Sequence, residues 1–283
     1  MSLVRVGSQR PILTSVTARR LLDGARRVSL DLGLSEVLVE VTDAGAVLPD
    51  GNVVSLEDLE VISSRGDAAF FVEEESVFQV AISDGGFLKL RPTAGAPTLE
   101  IDGVRMHRTV GTTPEVDARV KLDALGLEGG RVLDTCTGLG YTVLEALRRG
   151  GELVVSVERR PGVIRIASLN PWSEGLFNDG RVSLVLGDSG GLVGGFPEGI
   201  FDYVVHDPPR FSHAGHLYGK AFYAGVFRVL RPGGYLFHYT GEPGSRKRRV
   251  NLRRGVMVRL REVGFMGVSW VREALGVVCS KPG

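Results

Sequence analysis

Two groups of residues have the types and spacing to do chemistry. The first is His206-Asp207-Pro208-Pro209-Arg210. Two prolines fix the backbone and remove two N–H donors. What remains is a rigid lip of carbonyl acceptors beside a carboxylate. Such a lip can hold an amino group by its hydrogens while the nitrogen lone pair faces an electrophile, so that catalysis is chiefly alignment for in-line attack. On this reading Asp207, Pro208, Pro209 and His206 form the reacting centre, and Arg210, Phe211 and His213 meet the substrate. The second group is Val132-Leu133-Asp134-Thr135-Cys136-Thr137-Gly138-Leu139-Gly140-Tyr141-Thr142. An apolar strand runs into an acid, a glycine turn and a helix, the form of a nucleotide-binding turn. Gly138 and Gly140 can take backbone angles closed to other residues and let a ligand approach the main chain. Glu158 follows 20 residues past Gly138, a spacing that suits a carboxylate accepting hydrogen bonds from a ribose diol. No lysine and hydroxyl pair follows the glycines, and the third glycine of G-x-G-x-x-G is replaced by Val143. A nucleoside without a pyrophosphate is therefore favoured over NAD or ATP.

These residues need a frame to bring them together. From Pro114 onward helical and strand periods alternate. Helices are expected over 114–125, 142–149, 163–169, 217–230 and 252–263. Strands are expected over 131–134, 153–157, 182–186, 201–205, 235–239, 267–271 and 275–280. That alternation predicts a mostly parallel sheet covered on both faces, with ligands outside the carboxyl ends of the strands. Those ends carry Asp134, Glu158, Asp188, His206-Asp207 and His238-Tyr239. Residues 1–105 read as a separate β-rich accessory domain, and 106–283 as the sheet domain. The first part holds a cap-like Thr14-Ser15 before a basic helix, a capping box at Ser55-Leu56-Glu57-Asp58, and strands over 69–72, 77–82, 87–90 and 97–101. It has no catalytic constellation. Docking or homodimer formation and substrate recruitment both stand as its role.

The quoted segments carry a resemblance. VLDTCTGLGYT (132–142), VVSVER (154–159), LVLGDS (184–189), VVHDPPR (204–210) and RVLRPGGYLF (228–237) resemble, in order and spacing, class I S-adenosylmethionine-dependent methyltransferases. DTCTGLGYT with HDPPRFS also resembles a group of uncharacterised archaeal predicted methyltransferases. The resemblance implies an α/β, doubly wound, seven-stranded Rossmann-like methyltransferase sheet, with S-adenosylmethionine as cofactor. It implies that Asp134, Thr135, Cys136, Thr137, Gly138, Gly140 and Tyr141 embrace the methionine part. Glu158 would bind the ribose, Asp188 would lie beside the adenine, and Arg159, Ser189 and Asp207 would complete the cofactor site. The lip resembles the D/N-P-P-aromatic motif of enzymes that methylate exocyclic amines or amide nitrogens. Here the aromatic position is Arg210, so a stacking role passes to Phe211 or to the arginine plane.

The remaining features bound the partners. Six of the nine residues from 246 to 254 are basic. Arg246, Lys247 and Arg248 precede a helix start, where the dipole disfavours cations, so phosphate attraction accounts for them better than stability does. RNA is accordingly a candidate acceptor, although the net charge of +1 does not by itself point to nucleic acid. His213-x-x-His216 beside Asp207 is weak evidence for a metal, and the resemblance implies none. Cys136 and Cys279 are too few for a disulfide framework, Cys136 reads as a small side chain under the cofactor, and a reducing cytoplasm is expected. No apolar run is long enough to span a membrane. Three functions stay in play. One is methyl transfer to a nitrogen. Another is polyamine aminopropyl transfer from decarboxylated S-adenosylmethionine. The last is a non-catalytic binding protein on the same fold.

Overall fold

The structure, a computed structural model, describes residues 10–74, 76–241 and 252–283. It divides into two units, Met1–Pro114 with Pro161–Phe177, and Glu115–Arg160 with Asn178–Gly283.

The first unit is rich in strands. Helix Ser15–Leu22 starts where the sequence places a cap, with the Thr14 hydroxyl accepting from the Thr17 N–H at 3.2 Å. Helix Leu56–Ser63 starts at Ser55, whose Oγ accepts from the Asp58 N–H at 3.0 Å. Both helices bury Ala18, Leu21, Leu59 and Ile62 in one apolar cluster with Leu13, Val28, Val39 and Val54. A three-stranded sheet (Ile12–Thr14, Ala69–Glu73, Ser76–Gln79) and a four-stranded one (Ala81–Ser83, Phe87–Arg91, Thr98–Ile101, Val104–Arg105) complete much of it. The single strand expected over 77–82 is broken at Val80. Its N–H bonds to Ala69 O at 2.8 Å, and its carbonyl accepts from the Leu90 N–H at 2.9 Å, so the residue hands the chain from one sheet to the next. Helix Pro161–Ser168 also belongs to this unit. It lies against strands Ala81–Ser83 and Phe87–Arg91, and its Gly162 N–H donates to Asp84 Oδ2 at 2.8 Å. A Cβ at Gly162 would sit 2.7 Å from Asp84, so this approach requires glycine.

The second unit is the α/β sheet. It opens with α1 (Pro114–Leu125) and then runs β1 (Gly130–Asp134), α2 (Tyr141–Arg148), β2 (Gly151–Glu158), β3 (Val182–Leu186), α3 (Ser189–Leu192), β4 (Phe201–His206), α4 (Lys220–Val229), β5 (Leu230–Tyr239), α5 (Leu252–Val263), β6 (Met266–Val271) and β7 (Gly276–Ser280). The strand order is β3-β2-β1-β4-β5-β7-β6. Strands β3, β2, β1, β4 and β5 pair parallel, and β7 runs antiparallel to both neighbours. This is the mixed, seven-stranded doubly wound sheet expected from the sequence, whose first five strands follow the order 3-2-1-4-5. Its core gathers Leu133, Val157, Val204, Phe222, Val226, Leu236 and Leu260. The Arg231-Pro232-Gly233-Gly234 turn falls inside β5. Phe201 pairs with Leu230 and Tyr203 with Tyr235, so β5 spends three extra residues as a bulge, with Gly233 at φ 75°. No helix among the described residues is long and apolar enough to cross a membrane.

Candidate active site

The carboxyl ends of β1, β2 and β4 converge because these strands are neighbours in register, with Asp134 opposite Ser156 on one side and Val205 on the other. Asp134 is 1% exposed. Its Oδ1 accepts from the Cys136 N–H at 3.3 Å and Ser156 Oγ at 3.1 Å, and its Oδ2 from the Thr142 hydroxyl. It therefore ties the strand end, the turn and the first residues of α2 together. Burial pushes its carboxyl up to about 6, against the pull of the Thr142 and Ser156 hydroxyls. Thr137 adds a second tie, its hydroxyl 2.6 Å from Ser156 Oγ. Gly138 and Gly140 take φ of 55° and 80°, conformations that favour glycine. Gly140 caps α2 with no side chain, so the first N–H groups of the helix face whatever occupies the turn.

Glu158 sits at the rim as the sequence spacing suggests. Its Oε2 accepts from the Gly138 N–H at 3.1 Å and its Oε1 from the Arg160 N–H at 2.9 Å. Burial raises its pKa while the backbone donors oppose the rise. The carboxylate is thus held in one orientation, with lone pairs left on both oxygens.

At the carboxyl end of β4 two of the four predicted catalytic residues, His206 and Asp207, separate. His206 is fully buried. Its Nε2 lies 3.0 Å from the Leu217 carbonyl, which can only accept, so Nε2 carries the proton. Its Nδ1, 2.6 Å from Thr135 Oγ1, then accepts from that hydroxyl. Burial drives its pKa down to about 3. Both nitrogens of this neutral imidazole are thus engaged within the protein, and His206 faces inward, unlike Asp207. Thr135→Val, close in shape, removes the hydroxyl and should cost about 1–3 kcal/mol by orphaning a buried nitrogen; denaturant unfolding measures it. His238 is buried in the same manner between the Tyr223 hydroxyl and the Tyr239 carbonyl, both at 2.9 Å.

Asp207 remains at the mouth, its side chain 22% exposed. Its Oδ2 is 2.6 Å from Lys121 Nζ, which also lies 2.7 Å from Asp117 Oδ2 and 4.6 Å from the Tyr239 ring centroid. Lys121 and Asp117 stand on successive turns of α1 and were not anticipated as site residues. Their i,i+4 spacing reads in sequence as an ordinary helix-surface pair. Burial raises the Asp207 pKa, with Lys121 opposing. Of the lip carbonyls, that of Pro209 accepts from the Tyr218 hydroxyl at 2.9 Å. Arg210 is exposed, and Phe211, 51% exposed, stands edge-on to Tyr218 with ring centroids 5.4 Å apart.

The outer rim is made by β3. Asp188 caps α3 through the Gly190 N–H at 2.9 Å, and His216 Nε2 lies 3.0 Å from its Oδ2. The Ser189 hydroxyl donates to the Thr135 carbonyl. Cys136 has its thiol pushed up by burial and by the Glu158 and Asp134 carboxylates. Tyr141 is buried and Arg159 exposed. His213 belongs to the helical turn Phe211–Ala214. Arg246, Lys247 and Arg248 lie outside the described residues. Arg253, from the same basic run, has its guanidinium 4.4 Å from the Trp270 ring centroid.

No family model matches the sequence. The chain is 45% identical over 278 residues to the uncharacterized protein MJ1233 of Methanocaldococcus jannaschii, covering 95% of each. It belongs to the family of that archaeal protein. Within this family the fold and the converging carboxylates are what the chain itself supplies. It is 28% identical over 173 residues to putrescine N-methyltransferase 1 of Nicotiana tabacum, an alignment that spans 60% of this chain and 46% of that protein. Among solved structures, spermidine synthase from Thermotoga maritima shares the fold with a TM-score of 0.55 at 19% identity, over 71% of this chain and 72% of that one.

Proposed function

We propose that the chain is an S-adenosylmethionine-dependent methyltransferase acting on an amino nitrogen. One observation carries the reading. At the ends of β2 and β4, the two strands that flank β1, a carboxylate held by the glycine turn (Glu158) and a carboxylate at a Pro-Pro lip (Asp207) stand at the same edge of the sheet. The residues fit the cofactor. The turn offers a helix N-terminus and positive-φ glycines, Glu158 offers lone pairs to a diol, and no lysine follows the glycines of the turn. The resemblance to putrescine N-methyltransferase supports the same assignment. When bound, the cofactor supplies an electrophilic methyl on a sulfonium. The protein's own work is to align the acceptor. Asp207 accepts a hydrogen from the amine and points its lone pair along the line of attack. After transfer the nitrogen carries one proton too many, and Asp207 is placed to receive it or pass it to water.

Aminopropyl transfer from decarboxylated S-adenosylmethionine is the second reading, favoured by the spermidine synthase fold likeness. RNA stays a candidate acceptor on the strength of the basic run at 246–254. One assay separates these. The protein is incubated with each cofactor and with small diamines, RNA or a peptide pool, and products are read by mass spectrometry. Methylated acceptor with S-adenosylhomocysteine is expected. Methylthioadenosine formed only from the decarboxylated cofactor would replace the first reading with the second.

A further inference from the structure

The Lys121 clamp has no counterpart in the reading of the sequence, and it is costly. An ammonium 5% exposed and a carboxylate 1% exposed are two buried charges, and with Asp207 at the mouth the group sums to one negative charge. Apolar residues of similar volume often replace such a group without loss of stability, so stability alone is a poor reason for it. The geometry offers a better one. Lys121 Nζ takes only Oδ2 of Asp207, and among the described residues Oδ1 makes no hydrogen bond. The Tyr239 ring and Asp117 hold the ammonium from its other sides.

We propose that Lys121 is the positioning residue of this site, fixing Asp207 in one orientation with Oδ2 occupied and Oδ1 presented to the acceptor amine. This rests on the amine-transfer reading above. The clamp also sets the charge of Asp207. Burial and Asp117 favour its neutral form, and Lys121 favours the carboxylate. The other titratable groups coupled to Asp207 are Asp134 on β1, Cys136 in the turn and Tyr218. None of them is altered in the variants below.

Two variants should move Asp207 in opposite directions. Lys121→Met leaves burial and Asp117 unopposed, so the acidic limb of the pH profile of kcat/KM should shift up by about 1–3 units. Asp117→Asn gives the ammonium wholly to Asp207, and the limb should shift down by about one unit. Lys121→Arg keeps the charge and should stay near wild type. Carbon-13 NMR of the Asp207 carboxyl in the same proteins reads the same shifts without turnover. Opposite shifts by both methods support the clamp. Equal-signed shifts, or lower kcat with an unmoved limb and unmoved carboxyl titration, would overturn it. If Lys121→Met does not fold, Asp117→Asn and Lys121→Arg carry the test. A wild type that transfers nothing to any amine would sink the functional reading instead, and the NMR titration would still decide the clamp.

Discussion

Replacement of Asp207 by Asn is expected to cut kcat by about 10²- to 10⁴-fold while cofactor affinity stays close to wild type. The amide is nearly isosteric, and Lys121 keeps Asp117 as a partner at 2.7 Å, so the fold should hold. The chemistry does not. To satisfy Lys121 the amide must turn its oxygen toward the ammonium, which leaves an NH₂ facing the acceptor amine. A donor then meets a donor, the amine loses its orienting acceptor, and the proton released on transfer loses its nearest base. Single-turnover kinetics with saturating cofactor separate this from a binding defect. Equal turnover in Asp207→Asn and wild type would remove Asp207 from the reaction and support a binding protein on the same fold.

The second large effect is at Glu158. Glu158→Ala is expected to weaken S-adenosylmethionine by about 10- to 150-fold, the equivalent of one charged hydrogen bond of about 1.5–3 kcal/mol. Two losses contribute. The diol loses its acceptor, and the Gly138 and Arg160 N–H groups lose the oxygens at 3.1 and 2.9 Å that orient them. The turn should loosen as well, so protection of the Gly138 amide from hydrogen exchange should fall. Glu158→Gln restores shape only. Its NH₂ must face one of those two N–H donors, so it should recover less than half of the lost binding energy. Titration calorimetry on both variants checks the order wild type, Gln, Ala.

Much of this site is legible in the sequence, for a physical reason. Strand ends in a parallel sheet are marked by a change from apolar runs to polar residues, so Asp134, Glu158, Asp188 and Asp207 announce themselves by local pattern. Gly138 and Gly140 do so through the backbone angles they permit. What escapes local pattern is contact across long separations. Lys121 is 86 residues from Asp207, and nothing near it distinguishes a buried clamp from a solvated i,i+4 pair. His206 carries the same lesson in reverse. Its position beside Asp207 suggests the mouth, but strand alternation turns successive side chains to opposite faces, and His206 goes inward to Thr135 and Leu217. Helix Pro161–Ser168 follows β2 in sequence, but it packs on strands Ala81–Ser83 and Phe87–Arg91 of the first unit and meets Asp84 through Gly162, contacts that no periodicity encodes. The basic run at 246–251 lies outside the described residues, and Arg253 is occupied with Trp270, so phosphate binding there rests on sequence alone.

The most direct measurement is calorimetric titration of the wild-type protein with S-adenosylmethionine, with S-adenosylhomocysteine, and with NAD as the pyrophosphate control. The expected result is one-to-one binding of the first two, lost or weakened in Glu158→Ala, and none of NAD. Absence of heat with either adenosyl ligand, or preference for NAD, would contradict the assignment of the glycine turn and everything built on it.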